Sequence, residues 1–486
     1  MGQLSINDKK SLVPSRNLRI SCMYIDENIC RSVLTDYEFK GSFNPGDYHF
    51  SVDSRTIQAH ELFVPFRGEI TDGHAYLAQA LEKGAGALVA YTYASVAMDL
   101  LAQENYKHAF IILVENPEKA FFDLVRAWRH QLTLPFVGIT GSLGKTSTKL
   151  ILGHIAHCAE KKVFVSHANQ NTLIGIALNI SKVQKDHEIA IFEMGISQVG
   201  EMQTMALFLQ PTYAVITCIA HSHIAGLGSY ACIAQEKRAI FSAFNQANIG
   251  CINGDQSELK NVAYAHPVVS FGFKMHNHIQ ARKLRPLDDK LTFVLRIYDK
   301  KYDIILTQNH KGLVLNTLAA TAIAHVMGIS SENIVRALNS LPIRSQRFEQ
   351  RQLAGQKGYI IDDCYNACPE SMKVALTAFH AIPFQGKKIA ILADMLELGD
   401  KSFFWHRQLG RFLKNITSLD TVIFVGPYMT QACHVAPTVF KKEQVTCWQD
   451  ALERVQLLLG DNVMVLVKGS NGMQLHHVVT ALAKHN

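Results

Sequence analysis

LPFVGITGSLGKTS, residues 134–147, joins a short apolar run to a glycine-rich turn and a polar stretch. An apolar run of this length that ends in a turn predicts a buried β-strand, and we expect a helix to begin near Lys145. Backbone N–H groups of such a turn, with the positive end of the helix, form a site for polyphosphate. The motif is a compact variant, because the standard spacing would require a glycine at Ile139. The stretch therefore predicts a nucleotide-binding loop within an α/β domain.

The loop contains the groups that a nucleotide polyphosphate and Mg²⁺ need. Lys145 can reach the β- and γ-phosphates, and the hydroxyl of Thr146 can ligate Mg²⁺. A GTPase would also carry an Asn-Lys-x-Asp motif that reads the base, and none occurs in this sequence. The residues that we expect to bind ATP from the loop are Gly141, Ser142, Gly144, Lys145, Thr146 and Ser147.

Apolar runs alternate with helical patterns on both sides of residue 343. The strand-like runs are KVFVS, EIAIFEMG and YAVITCIA after the loop, then GYIIDD, KKIAILAD, TVIFVG and NVMVLVKGS. Continuous apolar strands separated by helices indicate buried parallel sheets. We predict an α/β protein of three domains: an N-terminal domain (1–116), a central P-loop domain with a parallel sheet (117–342) and a C-terminal Rossmann-like domain (343–486).

The composition is that of a globular protein. The chain has 486 residues, 48% of them hydrophobic and 18% charged, with a formal charge of +7. Nucleic-acid binding would need a concentrated stripe of basic residues, and the sequence contains none. The ten cysteines form no Cys-x-x-Cys pair, as is typical of reduced thiols. The sequence has neither the apolar core of a signal peptide nor a membrane-length apolar run, so we expect a cytoplasmic protein.

Chemically useful side chains follow two of the predicted strands. Glu193 ends EIAIFE, and His221 and His223 follow YAVITCIA. In a doubly wound sheet, ligands gather at the carboxyl ends of the strands, so these residues should face the phosphate loop. Mg²⁺ prefers oxygen ligands, which suits Glu193 and Thr146 better than a histidine.

The ordered series TGSLGKT, EMG, HIAGLGS and QEKRAIF resembles the central domain of the Mur ligases of bacterial cell-wall synthesis. Members of that family join an amino acid or a dipeptide to the carboxylate of a UDP-muramoyl precursor. The resemblance implies that Glu193 and His223 help to bind Mg²⁺. It also implies that Lys237 reacts with CO₂ to form a carbamate, which would hold a second Mg²⁺. Lys145, Lys237 and His223 are then the expected catalytic residues.

The N-terminal string VDSRTIQAHELFVPFRG resembles the uridine-binding domain of two members of the family. This resemblance places Asp53, Ser54 and Arg55 at the UDP end of the substrate. HANQNTLIGIAL resembles an Asn-x-Asn segment of the family, although Thr172 stands where asparagine is usual. It adds Asn169, Asn171 and Thr172 to the expected UDP-substrate site.

In the C-terminal domain, IIDDCYNACPESM and ILADMLELGDKS are similar to the member that adds D-alanyl-D-alanine. By position, Arg347, Asp363 and Asn366 are expected to contact ATP, and Asn316 of the central domain is expected near the adenine. Lys468, Gly469 and Ser470 are expected near the incoming dipeptide.

The resemblance thus implies ATP-dependent ligation of D-alanyl-D-alanine to UDP-N-acetylmuramoyl-tripeptide through an acyl phosphate. ATP, two Mg²⁺ ions and CO₂, as the lysine carbamate, are the implied cofactors. The implied partners are small molecules, with a monomeric chain and no membrane insertion. The sequence does not specify the third residue of the peptide.

Three alternatives remain at this stage. A sister ligase would add a different amine. Folylpolyglutamate synthase shares the central chemistry, but its phosphate loop comes close to its N-terminus, whereas a whole domain precedes Gly138 here. A non-catalytic, nucleotide-binding paralogue is the third alternative, although the chain retains Lys145, Glu193 and Lys237. Departures from the family pattern at Gly312, Ala225 and Cys368 keep it open, and a further departure at Asn471 bears on the choice of amine.

Overall fold

The computed structural model describes residues 23–68, 71–106, 108–287, 290–307, 311–342, 348–355, 358–460 and 462–483. Backbone contacts divide the chain into two compact units. The first contains residues up to Thr133 together with Ile180–Asp186, and the second contains Leu134–Asn179 and the chain from His187 onward. Within the described ranges, no helix is both long enough and apolar enough to cross a bilayer. The domain boundaries at residues 116 and 342 stay predictions.

In its described residues, the first unit combines a five-stranded sheet with four α-helices. In the sheet the order is β2-β7-β6-β5-β4, with β2 antiparallel to β7 and the other pairs parallel, and β1 pairs with β3. Trp128 on the last helix donates a hydrogen bond from Nε1 to the carbonyl of Val183 (3.1 Å), which attaches the 180–186 segment to this unit. The elements are β1 (Tyr24–Ile25), α1 (Glu27–Val33), β2 (Tyr37–Gly41), β3 (Gly46–Asp47), β4 (His49–Ser51), β5 (Glu61–Phe63), α2 (Leu77–Glu82), β6 (Gly86–Ala90), α3 (Ala94–Leu101), β7 (Phe110–Val114) and α4 (Pro117–Gln131).

The second unit begins with a nine-stranded sheet, in the order β16-β15-β14-β13-β12-β11-β8-β10-β9. Its elements are β8 (Phe136–Thr140), α5 (Lys145–Cys158), β9 (Val163–Val165), α6 (Leu173–Ile180), β10 (Ile189–Glu193), α7 (Glu201–Leu209), β11 (Tyr213–Ile216), α8 (Ile224–Leu227), α9 (Tyr230–Arg238), β12 (Ile249–Asn253), α10 (Ser257–Lys260), β13 (Val268–Gly272), β14 (Ile279–Leu287), β15 (Lys290–Ile297), β16 (Lys300–Leu306), α11 (Lys311–Val326) and α12 (Ser331–Asn339).

The predicted parallel sheet is confirmed for the strands around the phosphate loop. β8 lies between β10 and β11 and is parallel to both. Every residue of β8 and β10 is buried, which explains their continuous apolar sequence. After β8 the chain forms β9 and β10 on one side of this strand and then β11 on the other side. The strand order therefore reverses at β8, and a crevice opens at its carboxyl end.

Three strands at one edge of this sheet depart from the predicted parallel arrangement. β14 pairs with β15, and β15 with β16, in antiparallel register. In β15, buried and less buried residues alternate along the strand, as expected where only one face of a sheet is covered. The covering helix is α11, whose Leu318 and Ile323 share one core cluster with Leu295 and Ile304 of these strands.

The rest of the second unit is built on a six-stranded sheet, in the order β17-β18-β22-β19-β20-β21. β17 is antiparallel to β18, and the remaining pairs are parallel, as predicted for a Rossmann-like domain. Its elements are β17 (Glu349–Gln352), β18 (Gly358–Asp362), α13 (Pro369–Ala381), β19 (Lys387–Ala393), α14 (Ser402–Phe412), β20 (Thr421–Val425), α15 (Met429–Val435), β21 (Lys441–Val445), α16 (Trp448–Leu458), β22 (Val463–Lys468) and α17 (His476–Leu482).

Candidate active site

A cavity of about 850 Å³ lies where the carboxyl ends of the central and C-terminal parallel strands converge. The phosphate loop forms one wall, and the segment after β18 and the end of β22 form another. The polar residues that line the cavity include Lys145, Thr146, Asn171, Glu193, Ser222, His223, Asn316, Asp363, Asn366 and Lys468. The parallel strands of both sheets in the second unit therefore present polar groups to one space.

Two glycines of the phosphate loop are required by the backbone. Gly141 and Gly144 have φ values of 146° and 81°, in the region that side chains rarely adopt. A Cβ atom at Gly141 would collide with the side chain of Thr217, and one at Gly144 would collide with the side-chain oxygen of Asn316. The loop is thus packed closely against the end of β11 and against α11.

The loop is braced by hydrogen bonds of its own residues. Ser142 donates from its backbone N–H to the carbonyl of Cys218 (2.8 Å). Its hydroxyl donates to the carbonyl of Ala220 (3.0 Å) and accepts from the N–H of the same residue (2.9 Å). Lys145 Nζ donates to the carbonyl of Gly141 (2.9 Å), so its ammonium group lies over the turn. A cation and a set of backbone N–H groups are therefore fixed at the N-terminus of α5, as polyphosphate binding requires.

Glu193, 2% exposed, is the buried carboxylate beside the loop. It accepts hydrogen bonds from Thr146 Oγ1 (2.9 Å) and Asn171 Nδ2 (3.0 Å), and it lies 3.5 Å from Lys149 Nζ. Burial alone would raise the pKa of Glu193. The charges of Lys145 and Lys149 and the two hydrogen bonds outweigh burial, so its pKa lies below the ordinary value. The site thus holds an ionised carboxylate next to the hydroxyl of Thr146.

His221 and His223 connect the two parts of the second unit. His223 Nδ1 lies 2.6 Å from a carboxylate oxygen of Glu397, and His221 Nδ1 lies 2.5 Å from Glu370. Trp405, on α14, packs against the ring of His221, with 4.4 Å between ring centroids. Both histidines therefore take partners from the C-terminal domain.

Lys237 is a fully buried lysine on α9, 1% exposed. Desolvation first, and then the positive charge of Lys145, lower its pKa to about 7. A large fraction of the amine is therefore neutral, and hence nucleophilic, near neutral pH. Lys237 is not among the described residues that line the cavity.

The residues around Glu193 fit Mg²⁺, which takes oxygen ligands. They supply an ionised carboxylate and the hydroxyl of Thr146. The cavity is also lined by Ser222, whose buried hydroxyl has no hydrogen-bond partner within the described part of the chain. The same part of the chain contains no cluster of three or more His, Cys, Asp and Glu side chains that could hold a metal by themselves. The donor set therefore suits an ion that shares its ligands with phosphate and water.

The expected UDP residues of the first unit form a compact turn. Arg55 makes a two-pronged ion pair with Asp53, through Nε (2.9 Å) and Nη2 (2.8 Å). Ser54 is buried and donates to the side-chain oxygen of Gln79 (2.7 Å). Lys83 donates to the carbonyls of Ser54 (3.0 Å) and Arg55 (2.5 Å), which fixes the backbone of the turn. Binding of UDP by these residues stays a prediction.

The three residues expected at the UDP-substrate site after β9 have different surroundings. Asn171 lies against Glu193, whereas Asn169 is exposed and its carbonyl accepts from the N–H of Asn171 (2.8 Å). Thr172 accepts from the N–H of Gly175 (3.3 Å) through its hydroxyl, at the start of α6. Of this group, Asn171 and Thr172 line the cavity. Their contact with the UDP-substrate remains a prediction.

The C-terminal wall contains one buried ion pair. Lys468, 2% exposed, lies 2.7 Å from a carboxylate oxygen of Asp363 and donates to the carbonyl of Asn366 (3.2 Å). Ser470 accepts from the N–H of Leu396 (2.9 Å), so its hydroxyl holds the loop after β19. Asp363 and Asn366 line the cavity, and their contact with ATP stays a prediction. Arg347 lies outside the described residues.

Sequence reasoning missed several side chains that the structure brings to this site. Lys149 looks like an ordinary helix lysine, and only its burial reveals that it contacts Glu193. Glu370 and Glu397 stand within the quoted C-terminal strings, but nothing in their spacing indicates that they reach His221 and His223. These contacts join residues far apart in the chain, and local patterns carry no signal for them.

Comparisons with known proteins agree with this geometry. Residues 139–324 match the Mur ligase middle domain, and residues 346–471 match the Mur ligase, glutamate ligase domain. The UDP-N-acetylmuramoyl-tripeptide--D-alanyl-D-alanine ligase of Bacillus subtilis is 30% identical over 435 residues, which cover 89% of this chain and 92% of that protein. The ligase of the same name from Treponema pallidum is 30% identical over 444 residues, covering 89% and 93%.

A solved structure shares the fold over almost the whole chain. The crystal structure of MurF from Acinetobacter baumannii superposes with a TM-score of 0.81 at 24% identity, covering 95% of this chain and 99% of that chain. This likeness shows the three-domain α/β fold, and the sequence similarity to the two curated ligases shows the family. The phosphate loop, its buried carboxylate and the full-length relatives together establish that this chain belongs to the Mur ligase family.

Proposed function

We propose that this chain joins D-alanyl-D-alanine to UDP-N-acetylmuramoyl-tripeptide and converts ATP to ADP and phosphate in the process. The choice of amine and acceptor rests on the full-length relatives, whose names state this reaction. The observation that carries the ligase chemistry is that the phosphate loop and Glu193 line the same cavity as the Lys468–Asp363 ion pair. A nucleotide and an acyl acceptor can both be held in that space.

The first step activates a carboxylate, which is a poor electrophile because its charge is delocalised. An oxygen of the peptide carboxylate attacks the γ-phosphorus of ATP, the bond to the bridging oxygen breaks, and ADP leaves. The product is an acyl phosphate. Such a transfer depends mainly on positioning and on offsetting charge. Lys145 and the N–H groups at the start of α5 are placed to offset charge on the phosphates.

Glu193, Thr146 and His223 are the residues that would hold Mg²⁺ near the phosphates. Bound there, the ion would neutralise negative charge on the transferring phosphoryl group. The pKa of Glu193 is held low by its two lysine neighbours, so the carboxylate is available as an anionic ligand throughout the neutral range. Glu397 orients His223 through Nδ1. The carbamate proposed on Lys237 would hold the second Mg²⁺ of the family.

Lys237 is proposed to be carbamylated. The reaction needs a neutral amine, whose lone pair attacks CO₂ while a proton is released. Burial and the charge of Lys145, which lower its pKa to about 7, favour that neutral form. The product replaces a buried cation by an anion beside Lys145, which relieves a repulsion between two positive charges.

The second step forms the amide bond. The amine of D-alanyl-D-alanine attacks the acyl carbon, loses a proton, and phosphate leaves from the tetrahedral intermediate. Lys468 and Asp363 lie on the C-terminal wall of the cavity, where an incoming dipeptide and the nucleotide would meet. Asn316 and Asn366 are proposed to contact the nucleotide, and Asp53, Ser54 and Arg55 the uridine end of the acceptor. Closure of the C-terminal domain over the nucleotide is proposed to precede the chemistry.

The alternatives differ in what they require. A sister ligase would use the same phosphate chemistry with another amine, so substrate trials separate it from this proposal. A non-catalytic paralogue needs neither a buried carboxylate beside the phosphate loop nor a buried lysine on α9. This chain has both, as Glu193 and Lys237. We therefore favour an active enzyme.

The test is release of phosphate from ATP and Mg²⁺ with UDP-N-acetylmuramoyl-tripeptide, with and without D-alanyl-D-alanine. We expect release that requires both substrates and yields a UDP-pentapeptide, and no release by Lys145→Ala. Turnover with a different amine would assign a sister reaction. Absence of turnover with every muramoyl peptide and amine tried would contradict the proposal.

A further inference from the structure

Lys149, on α5 one turn beyond the phosphate loop, is 1% exposed. A lysine is almost never fully buried unless its ammonium group is paired. Here Nζ donates to the carbonyls of Ser166 (2.9 Å) and Ala168 (2.7 Å), and it lies 3.5 Å from Glu193. The buried cation therefore binds one carboxylate and the backbone of one loop.

The loop that Lys149 holds is the one that carries Asn171. It follows β9, and Ala168 in it has a positive φ of 40°, which is unfavourable for a residue with a side chain. The hydrogen bond from Lys149 to the carbonyl of Ala168 stabilises this conformation. A few residues later, Asn171 donates to Glu193. The position of the amide therefore depends on the position of the loop.

A second connection runs through the backbone of Glu193. Its N–H donates to the hydroxyl of Ser166 (3.3 Å), the residue whose carbonyl Lys149 binds. Lys149, the 166–171 loop and Glu193 thus form a closed set of contacts behind the carboxylate. On the other side, Glu193 meets Thr146, which belongs to the same helix as Lys149.

We propose that Lys149 is a positioning residue, which holds Glu193 and the loop with Asn171 in the arrangement that binds Mg²⁺ beside the phosphate loop. The inference rests on the proposed binding of Mg²⁺ and nucleotide at this site. Lys149 does not itself contact the ion in this scheme. It acts through the carboxylate and the loop, as residues behind a metal ligand commonly do.

The chain offers a matched control in Lys388, at the amino end of β19. This lysine is 4% exposed, and its Nζ donates to the backbone carbonyls of Phe379 (2.9 Å), His380 (3.2 Å) and Ile382 (2.6 Å). It resembles Lys149 in burial and in its carbonyl partners. It lies at the amino end of β19, whereas the cavity is lined by Lys468 at the carboxyl end of the parallel neighbour β22. Loss of Lys388 therefore reports the structural cost of removing a buried ammonium.

The experiment compares the wild-type chain with Lys149→Met and Lys388→Met. For each protein, the affinity for ADP is measured by calorimetry with Mg²⁺ and with a chelator, and the thermal midpoint is recorded without ligand. We expect both variants to unfold at lower temperature. Mg²⁺ should raise the ADP affinity of Lys149→Met by a factor about tenfold smaller than in the wild-type chain, which is the low end of such effects behind metal ligands. Lys388→Met should keep the wild-type gain.

The outcomes separate two failures. If the wild-type affinity for ADP does not depend on Mg²⁺, the proposed function fails at this site and the inference fails with it. If the wild-type gain is present and Lys149→Met keeps it in full, the inference alone is overturned. Should Lys149→Met not fold, Lys149→Gln replaces it, because the amide can still donate to one carbonyl while the charge is lost. A full Mg²⁺ gain in Lys149→Gln would also overturn the inference.

Discussion

His223 Nδ1 lies 2.6 Å from a carboxylate oxygen of Glu397, and both residues have left-handed backbone conformations, with φ values of 56° and 66°. The backbone joins the same two segments, because the N–H of Ala225 donates to the carbonyl of Glu397 (3.0 Å). Left-handed backbone at a residue with a side chain costs about 1–3 kcal/mol and persists only where the surroundings impose it. The contact therefore fixes the orientation of His223 from the C-terminal domain.

Glu397→Gln is expected to lower kcat/KM about tenfold while leaving the thermal midpoint nearly unchanged. The side chain of Glu397 is 56% exposed, so its ion pair contributes little to stability, but loss of its charge weakens the hydrogen bond that orients the ring of His223. Steady-state kinetics and thermal unfolding are the measurements. Glu370→Gln is the control, since it removes the charge of the partner of His221 instead. Equal kinetic losses in the two variants would show that the contact between the domains matters rather than the orientation of His223.

Gly144→Ala is expected to lower kcat/KM by about 10²-fold, because a small displacement at the phosphate loop misaligns the reacting groups. The new Cβ would collide with the side chain of Asn316 and would also occupy a backbone with φ of 81°. Gly328→Ala separates the two effects, since Gly328 has φ of 82° and no atom near the position of a Cβ. Both variants should lose stability through backbone strain. A similar loss of activity in Gly328→Ala would contradict the explanation by collision.

The phosphate loop and its surroundings show how far the sequence could predict this site. The strand over residues 136–140 and the helix that begins at Lys145 are confirmed, because a buried strand and a glycine turn have local signatures. The antiparallel strands β14–β16 were not predicted, because their pairing depends on the helix that covers them. The burial of Lys149 could not be predicted either, because a lysine in a helix looks the same whether it meets water or Glu193.

Activity is expected to fall on the acid side of neutral pH through Lys237. Desolvation and Lys145 lower the pKa of this lysine to about 7, so the neutral amine that reacts with CO₂ becomes scarce below that value. At pH 6 about one-tenth of the amine would be neutral. We expect that raising the concentration of CO₂ restores part of the activity lost at pH 6, and that ¹³C-labelled CO₂ gives a carbamate NMR signal that Lys237→Met lacks. A carbamate signal in Lys237→Met of wild-type intensity would exclude this lysine as the site.

Acid is expected to destabilise the C-terminal domain through His406, whose side chain is fully buried. Its Nδ1–H donates to the carbonyl of Ser402 (2.6 Å), and its Nε2 accepts from the N–H of Met395 (3.0 Å). Burial lowers the pKa of His406 from 6.5 to about 4. The unfolded chain therefore binds more protons between these values. Stability from this residue is complete above pH 6.5 and is lost as the pH falls toward 4, by up to about 3 kcal/mol.

The nearby Asp394 acts in the opposite direction, because burial raises its pKa from 3.8 to about 6. The folded chain therefore binds more protons at this residue, and its contribution to stability rises as the pH falls below 6. His406→Gln separates the two effects, since glutamine can donate and accept as the neutral imidazole does but takes up no proton. We expect this variant to show a smaller fall in thermal midpoint between pH 7 and pH 5 than the wild-type chain. His157→Gln, at an exposed histidine of α5, should retain the wild-type fall. An unchanged fall in His406→Gln would mean that other groups govern the acid sensitivity of this domain.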